Sequence, residues 1–185
     1  MVPKPEDKRV DFEIIENAKA GEERPGTVKR GSATCPCCGY TTPVASVRQQ
    51  LRARNGGAND ARLVCIVTNN PDQQGRNYRL CEEKDLNLAR SVDKYIKPNI
   101  SIIPLERVDK NHHDVNRLPM YGMNTWADAF TNRQLLALST LQKIVQQGYL
   151  KENYSKEATL LFALAIDRLS DYGSSICRWV PRGEY

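Results

Sequence analysis

Cys35 and Cys38 are the residues in this chain whose type and spacing best suit chemistry, and they lie in the segment Cys35-Pro-Cys-Cys-Gly39. Two thiols at this spacing can turn toward one metal ion, and a glycine directly behind them permits a tight turn. A structural zinc site needs four ligands, and the chain contains no second Cys-x-x-Cys pair. The sequence therefore predicts half of a zinc site.

The other two ligands have several possible sources. If a metal binds, these two ligands come from Cys37, Cys65, Cys81 or His112 of this chain, from a second copy of the chain, or from another protein segment. The alternative is that the chain binds no metal. Cys65 and Cys81 lie in apolar, strand-like segments, which favours buried core thiols over ligands. His112 and its neighbour His113 point in different directions on most backbones, which favours a solvated loop.

Positive charge is concentrated in one part of the chain. From Lys29 to Arg79 there are eight basic residues and two acidic ones, a net charge of +6, whereas the whole chain carries +5. A localised positive region indicates a polyanionic partner such as DNA, and a solvated basic face without a ligand is the alternative. The candidate nucleic-acid-binding residues are Lys29, Arg30, Arg48, Arg52 and Arg54.

The elements that must position these residues are short. A ribbon strand is expected over residues 26–31, immediately before the cysteines. Thr42 is a favourable N-cap for a helix that continues to about Arg54 and ends at a glycine pair. Arg48 and Arg52 would lie along one flank of the apolar stripe of this helix, and Arg54 along the other.

The rest of the chain predicts a hairpin followed mainly by helices. Strands are expected over 62–68 and 77–81, a helix over 82–97 and another strand-like run over 99–105. Thr131 with Gln134 forms a capping box for a long helix, and Ser155 caps the last one. The last helix is apolar nearly all round, so we expect it to be buried on most sides, which indicates a missing partner segment.

The predicted fold class is therefore α+β. An N-terminal ribbon-like, zinc-knuckle-like region with a short hairpin and helices occupies residues 1–110, and a helical region occupies 111–185. The two regions form one compact unit or a piece of a larger protein. The chain has no long apolar run, and its first residues lack the apolar segment of a signal peptide, so we expect a cytoplasmic protein.

Catalytic signatures are absent from the sequence. There is no Gly-x-Gly-x-x-Gly, no phosphate-binding loop, no Gly-x-Ser-x-Gly and no His-Glu-x-x-His. The carboxylates are scattered, so no acid–base pair can be assigned. We therefore assign no catalytic and no cofactor-binding residue.

Four segments of the chain resemble one protein family in a consistent order. Gly31–Pro43, Gln50–Leu63, Tyr121–Leu138 and Asp171–Trp179 are similar to segments of the adenine-specific DNA methylases that contain a zinc ribbon. These are multidomain proteins that begin with a domain of unknown function. The resemblance covers roughly residues 26–180.

The resemblance implies a middle region. Cys35 and Cys38 match zinc ligands of the family, whereas the family's cofactor-binding glycine motif and first zinc knuckle precede the equivalent of residue 26, and its catalytic motif follows the equivalent of residue 180. Two positions depart from the family pattern, because Cys37 is usually not cysteine and Val180 stands where histidine is expected.

The implied function is that of a non-catalytic middle region, as a fragment or a split-off subunit, that contributes DNA binding or scaffold. The parent enzyme transfers a methyl group from S-adenosylmethionine to adenine N6, and this chain alone would not bind S-adenosylmethionine. Its expected partners are DNA and the remaining methylase domains or a partner subunit. The alternatives are a protein-interaction module and a small independent zinc protein that binds nucleic acid.

Overall fold

The computed structural model of the chain describes residues 1–19, 21–22, 25–69, 75–96, 102–115 and 117–177. It contains α-helices and small antiparallel sheets, which confirms the predicted α+β class. The chain divides into two compact units. The first, here called the ribbon unit, comprises residues 1–51 and 62–87, and the second, called the helical unit, comprises residues 52–61 and the described residues from Leu88 onward. The described residues from Leu88 to Lys110 group with the helices, and the boundary that the sequence places at about residue 110 stays a prediction.

The ribbon unit is built from three small antiparallel sheets. Strands β1 (Val2–Lys4) and β2 (Arg9–Asp11) pair with each other, strands β3 (Val28–Lys29), β4 (Ser32–Thr34) and β5 (Thr41–Thr42) form a three-stranded sheet, and β6 (Cys65–Asn69) pairs with β7 (Arg76–Leu80). Helix α1 (Val44–Ala53) follows β5, and helix α2 (Glu83–Ser91) follows β7. No described residue of this unit is buried, so its sheets have no apolar core of their own.

The junction between β7 and α2 is held by charge. Both terminal nitrogens of Arg79 donate to the carboxylate of Asp85, at 2.6 and 2.7 Å, and the backbone N–H of Glu82 donates to the same carboxylate at 2.9 Å. These two donors, Arg79 first, hold the pKa of Asp85 well below its usual value. A paired, two-pronged contact of this kind fixes the direction in which the helix leaves the hairpin.

The helical unit contains the buried apolar residues. Ile103, Ala127 and Leu135 form its core, with Ile96 and Phe130 packed against them. The elements are α3 (Asp93–Ile96), α4 (Arg117–Met120), α5 (Asn132–Leu150) and α6 (Lys156–Tyr172), with short 3₁₀ turns at Ala58–Asp60 and Trp126–Ala129. Helices α5 and α6 are consecutive and pack against each other.

The predicted caps of the two long helices are confirmed. The side chain of Gln134 accepts from the Thr131 backbone N–H at 2.8 Å, and the Thr131 hydroxyl accepts from the Gln134 N–H in return. The Ser155 hydroxyl accepts from the Ala158 N–H at 3.2 Å. Each contact satisfies an N–H group that has no partner within the helix.

Two predictions about local structure were wrong. The helix expected over 82–97 is interrupted at Val92, and the strand expected over 99–105 is absent from its described part, residues 102–105. Helix α6, for which packing on most sides was expected from a missing partner segment, has no buried residue within this chain, so that expectation stays a prediction. None of the helices in the described ranges combines the length and the apolar character needed to cross a lipid bilayer.

Candidate functional site

Cys35, Cys37 and Cys38 lie in the tight turn that joins β4 to β5. The Cys35 N–H donates to the carbonyl oxygen of Tyr40 at 2.8 Å, and the Gly39 N–H donates to the carbonyl oxygen of Cys35 at 2.9 Å. Gly39 has a φ of +74°, a conformation that glycine adopts without a steric cost. The turn therefore has the backbone that the sequence predicted, with glycine at the position that needs it.

The electrostatics of this turn favour a thiolate at Cys35. The backbone N–H of Cys38, and after it that of Cys37, lower the pKa of the Cys35 thiol, and the Cys38 side chain adds to the effect. Cys35 and Cys38 are both exposed. Because the thiolate is the form that binds metals, the lowered pKa makes Cys35 a better ligand than an ordinary cysteine, with a second thiol beside it.

Cys37 has a different environment from its two neighbours. Its thiol is only partly exposed and donates to the carbonyl oxygen of Arg9 at 3.2 Å. This contact links the cysteine turn to strand β2 within the ribbon unit. Cys37 thus contributes to holding the small sheets together, which supports Cys35 and Cys38 as the pair available to an ion.

The described residues do not bring a third ligand to this pair. Among them, no set of three Cys, His, Asp or Glu side chains that includes Cys35 and Cys38 has its ligand atoms within 4.8 Å of one another. Cys65 lies in β6 opposite Leu80, and Cys81 directly follows β7, so these two thiols belong to the β6–β7 hairpin and not to the cysteine turn. A complete zinc site at the turn would need two ligands from another chain or segment.

Lys29 and Arg30 lie at the tip of the β3–β4 hairpin. Arg30 and Gly31 form its two-residue connection and both have positive φ, +51° and +86°, as a type I′ turn requires. Lys29 and Arg30 are exposed, and no described carboxylate pairs with either of them. Two basic side chains thus project from a narrow loop at the end of the sheet.

The three arginines predicted on or after the first helix have more constrained environments. Arg48 is half-buried, and α1 ends at Ala53, before Arg54. Within the helical unit, Arg52 donates to the carbonyl oxygen of Met120 at 3.4 Å, and Arg54 pairs with the carboxylate of Asp60 at 2.5 Å. Arg54 is therefore the least suited of the predicted residues to bind phosphate, because its charge is already neutralised.

Another of the basic residues in the positive region also serves the fold. Arg62 donates to the carbonyl oxygen of Val10 at 3.2 Å and lies over the ring of Phe12, 5.1 Å from its centre. Such contacts hold the β2 strand within the ribbon unit by hydrogen bonding and cation–π attraction. Counting charges along the sequence cannot separate these structural arginines from those that face solvent.

The structure also brings together residues that the sequence interpretation left in a solvated loop. His112, His113 and Asp114 have their ligand atoms within 4.8 Å of one another, and among the described residues no other set of three does. All three are exposed. The signal in the sequence was the carboxylate directly after the histidine pair, which the interpretation of the histidines alone did not use.

Comparison of the chain with protein-family models, with curated proteins and with solved structures found no match.

Proposed function

We propose that this chain is a non-catalytic scaffold region of an adenine-specific DNA methyltransferase, as part of the enzyme or as a separate subunit. The observation that carries the proposal is the apolar surface of α6, of which the described residues of the helical unit leave several large side chains exposed. The parent enzyme is proposed from the resemblance of the cysteine turn and of three further segments to zinc-ribbon methylases.

The exposed apolar surface of α6 is extensive for one helix. Leu160, Leu161 and Leu164 are 61%, 67% and 58% exposed, and Phe162 and Leu169 are exposed as well. Burying one leucine completely is worth about 1.5–3 kcal/mol, so covering the exposed fraction of each gives about 1–2 kcal/mol. Covering all three residues therefore contributes about 3–6 kcal/mol toward binding a partner, from which the cost of association is subtracted. Large exposed apolar side chains on one helix are typical of a protein interface.

Helix α5 extends the same kind of surface. Leu141, Ile144 and Leu150 of this helix are exposed as well. Since α5 and α6 pack against each other, the hairpin presents apolar side chains on both helices. This arrangement suits a segment that docks onto another domain.

The scaffold proposal is tested with Leu161→Asp combined with Leu164→Asp. The double variant and the unsubstituted chain are each co-expressed with the remaining domains of a zinc-ribbon adenine methylase. Co-purification and light scattering then measure their association. We expect the double variant to weaken association by at least about 100-fold, since that corresponds to about 2.7 kcal/mol. Gln147→Asp is the matched control, because it adds a charge at an exposed polar position of the same hairpin. The proposal is contradicted if the unsubstituted chain stays monomeric and binds none of these domains.

DNA binding is a second candidate function, favoured by the exposed pair Lys29 and Arg30 at the hairpin tip. In this role the chain contacts the phosphate backbone of DNA, while the parent enzyme carries out methyl transfer to a flipped adenine. Arg48 and Arg52 are the other candidates for phosphate contact. The proposal assigns no sequence-reading contact to any of them.

The DNA proposal is tested by the salt dependence of duplex binding. Lys29→Gln with Arg30→Asn removes both charges, and asparagine tolerates the positive φ at position 30. If each side chain neutralises one phosphate, the slope of log K against log salt should fall by about 2. Arg54→Gln serves as the control, since Asp60 already pairs with that arginine. Binding that does not depend on salt, or an equal change in the control, argues against the hairpin tip as the contact.

We also propose that Cys35 and Cys38 bind zinc together with a second ligand pair from the parent enzyme or from another copy of this chain. The ribbon unit buries none of its described residues, and small domains without an apolar core commonly depend on a structural metal. Two copies that share one ion would contain one zinc per two chains. Elemental analysis of the purified chain in a His112→Gln, His113→Gln background tests this, and less than about 0.3 zinc per chain leaves the pair empty.

A further inference from the structure

The loop before α4 gathers both histidines of the chain beside a carboxylate. Its backbone is shaped by Asp109, whose side chain accepts from the Asn111 N–H at 2.8 Å and whose carbonyl oxygen accepts from the His112 N–H at 3.3 Å. These two contacts turn the chain immediately before His112. The three side chains that follow therefore project from a closed turn instead of from an extended segment.

The geometry of the three side chains is compact. The His113 Nε2 atom lies 3.0 Å from one carboxylate oxygen of Asp114, and the His112 Nδ1 atom lies 4.0 Å from the other. The two imidazole rings stack with their centres 5.3 Å apart and an angle of 18° between their planes. A single carboxylate thus lies within reach of one nitrogen of each ring.

Two imidazoles and one carboxylate are a ligand set that first-row divalent metals prefer. Zinc binds such ligands at about 2.0–2.2 Å, which places ligand atoms roughly 3.3 Å apart around a tetrahedral ion. The two histidine nitrogens lie 3.0 and 4.0 Å from different oxygens of the carboxylate, and the three ligand atoms lie within 4.8 Å of one another. The side chains must therefore rotate to close around one ion, which their exposure permits, and the fourth position is left to water.

The backbone also prepares one of the ligands. The Asp114 N–H points at the His112 Nδ1 atom at a distance of 3.4 Å. This long contact occupies the single acceptor lone pair of Nδ1, so a metal ion bound to Nδ1 would take the place of the Asp114 N–H. A metal ion would replace the contact without breaking a strong hydrogen bond.

From this geometry we infer a second metal site, made by His112, His113 and Asp114, that takes a first-row divalent ion such as Zn²⁺. It is independent of the cysteine turn in its chemistry, because its ligands are nitrogen and oxygen atoms and those of the turn are sulfur. It is also independent of the scaffold proposal, since none of its three residues belongs to α5 or α6.

The test is a Zn²⁺ titration of the full chain followed by NMR of the imidazole signals. The chain contains two histidines, so every imidazole signal reports on this site. We expect both rings to respond with one common midpoint. Asp114→Asn should raise that midpoint at least about 10-fold, since even outer residues of metal sites change affinity by this factor.

Two controls separate this site from other sources of binding. Asp167→Asn removes an exposed carboxylate elsewhere in the helical unit and should leave the midpoint unchanged. Cys35→Ser with Cys38→Ser should leave it unchanged as well. Three results would each overturn the inference. They are a response from one ring only, a midpoint for Asp114→Asn equal to that of the unsubstituted chain, and imidazole signals that do not change when Zn²⁺ is added.

Discussion

Gly148 lies in the last turns of α5, where the ring of Tyr154 packs against the helix backbone. A methyl group at position 148 would lie within 2.9 Å of three atoms of that ring. The Asn153 and Tyr154 N–H groups both point to the Gly148 carbonyl oxygen, at 2.9 and 3.3 Å, so the loop cannot move away without losing these contacts. The ring also packs against Phe162 of α6, with centres 5.2 Å apart. Gly148→Ala should therefore destabilise the α5–α6 hairpin.

The expected magnitude follows from two opposing effects. Overpacking a filled site costs about 1–3 kcal/mol, whereas replacing glycine by alanine within a helix contributes up to about 1 kcal/mol. We expect a net loss of about 1 kcal/mol in the free energy of unfolding, which lowers Tm by about 2–4 °C for a chain of this size. In a Tyr154→Ala background the overlap is gone, so the same substitution should become stabilising.

Urea denaturation and thermal melts of the four variants give this double-mutant cycle. The coupling between positions 148 and 154 should be about 1–3 kcal/mol, well above the few tenths seen for independent sites. Gly26→Ala is the control, because a methyl group there has nothing within 4 Å and should change stability by less than about 0.5 kcal/mol. If Gly148→Ala stabilises the chain equally in both backgrounds, the packing of Tyr154 on α5 is refuted.

Three further predictions concern other parts of the chain. Gly57→Ala should cost about 2 kcal/mol or more in urea denaturation, because φ is +122° and the new methyl group would lie 2.6 Å from the Asp128 carbonyl oxygen; an unchanged midpoint would rule this out. Asp85→Asn should destabilise the chain at pH 7, and the difference should shrink as the pH falls below about 4, since the depressed pKa of Asp85 makes its contact with Arg79 stabilising only while the carboxylate is charged; a difference at pH 2 that is as large as at pH 7 counts against the ion pair. Cys35 should react with iodoacetamide at neutral pH faster than the other exposed cysteines, which peptide mass mapping measures, and equal rates would remove the case for a stabilised thiolate.

Features set by neighbouring residues could be predicted from the sequence. The caps at Thr131 and Ser155 and the tight turn at Gly39 depend on side chains and backbone within a few positions of one another. The helix expected over 82–97 is interrupted at Val92, where neither that residue nor its direct neighbours is proline or glycine, so the sequence gives no sign of the interruption. The apolar composition of α6 predicts that the helix needs packing on most sides, but it cannot report what is available to cover the helix, and none of its residues is buried within this chain.

The candidate site shows the same division. The cysteine pair could be found from its spacing. Only the structure distinguishes Cys37 from its neighbours, because its thiol donates a hydrogen bond to the carbonyl oxygen of Arg9. Charge counting could not reveal that Arg54 pairs with Asp60, because that contact depends on the turn after α1. These distinctions rest on contacts between segments, which the order of residue types along the chain does not encode directly.

The division of the chain between its two units has a consequence for the order of folding. Residues 52–61 belong to the helical unit although the ribbon unit continues after them to residue 87. Gly57 packs against Met123 and Asp128, roughly seventy positions later in the chain. During synthesis this segment leaves the ribosome well before its partners exist, so it must wait unpaired while the β6–β7 hairpin of the ribbon unit is completed. Long-range contacts of this kind slow folding, and they make residues 52–61 the part of the helical unit that is exposed longest to chaperones and proteases.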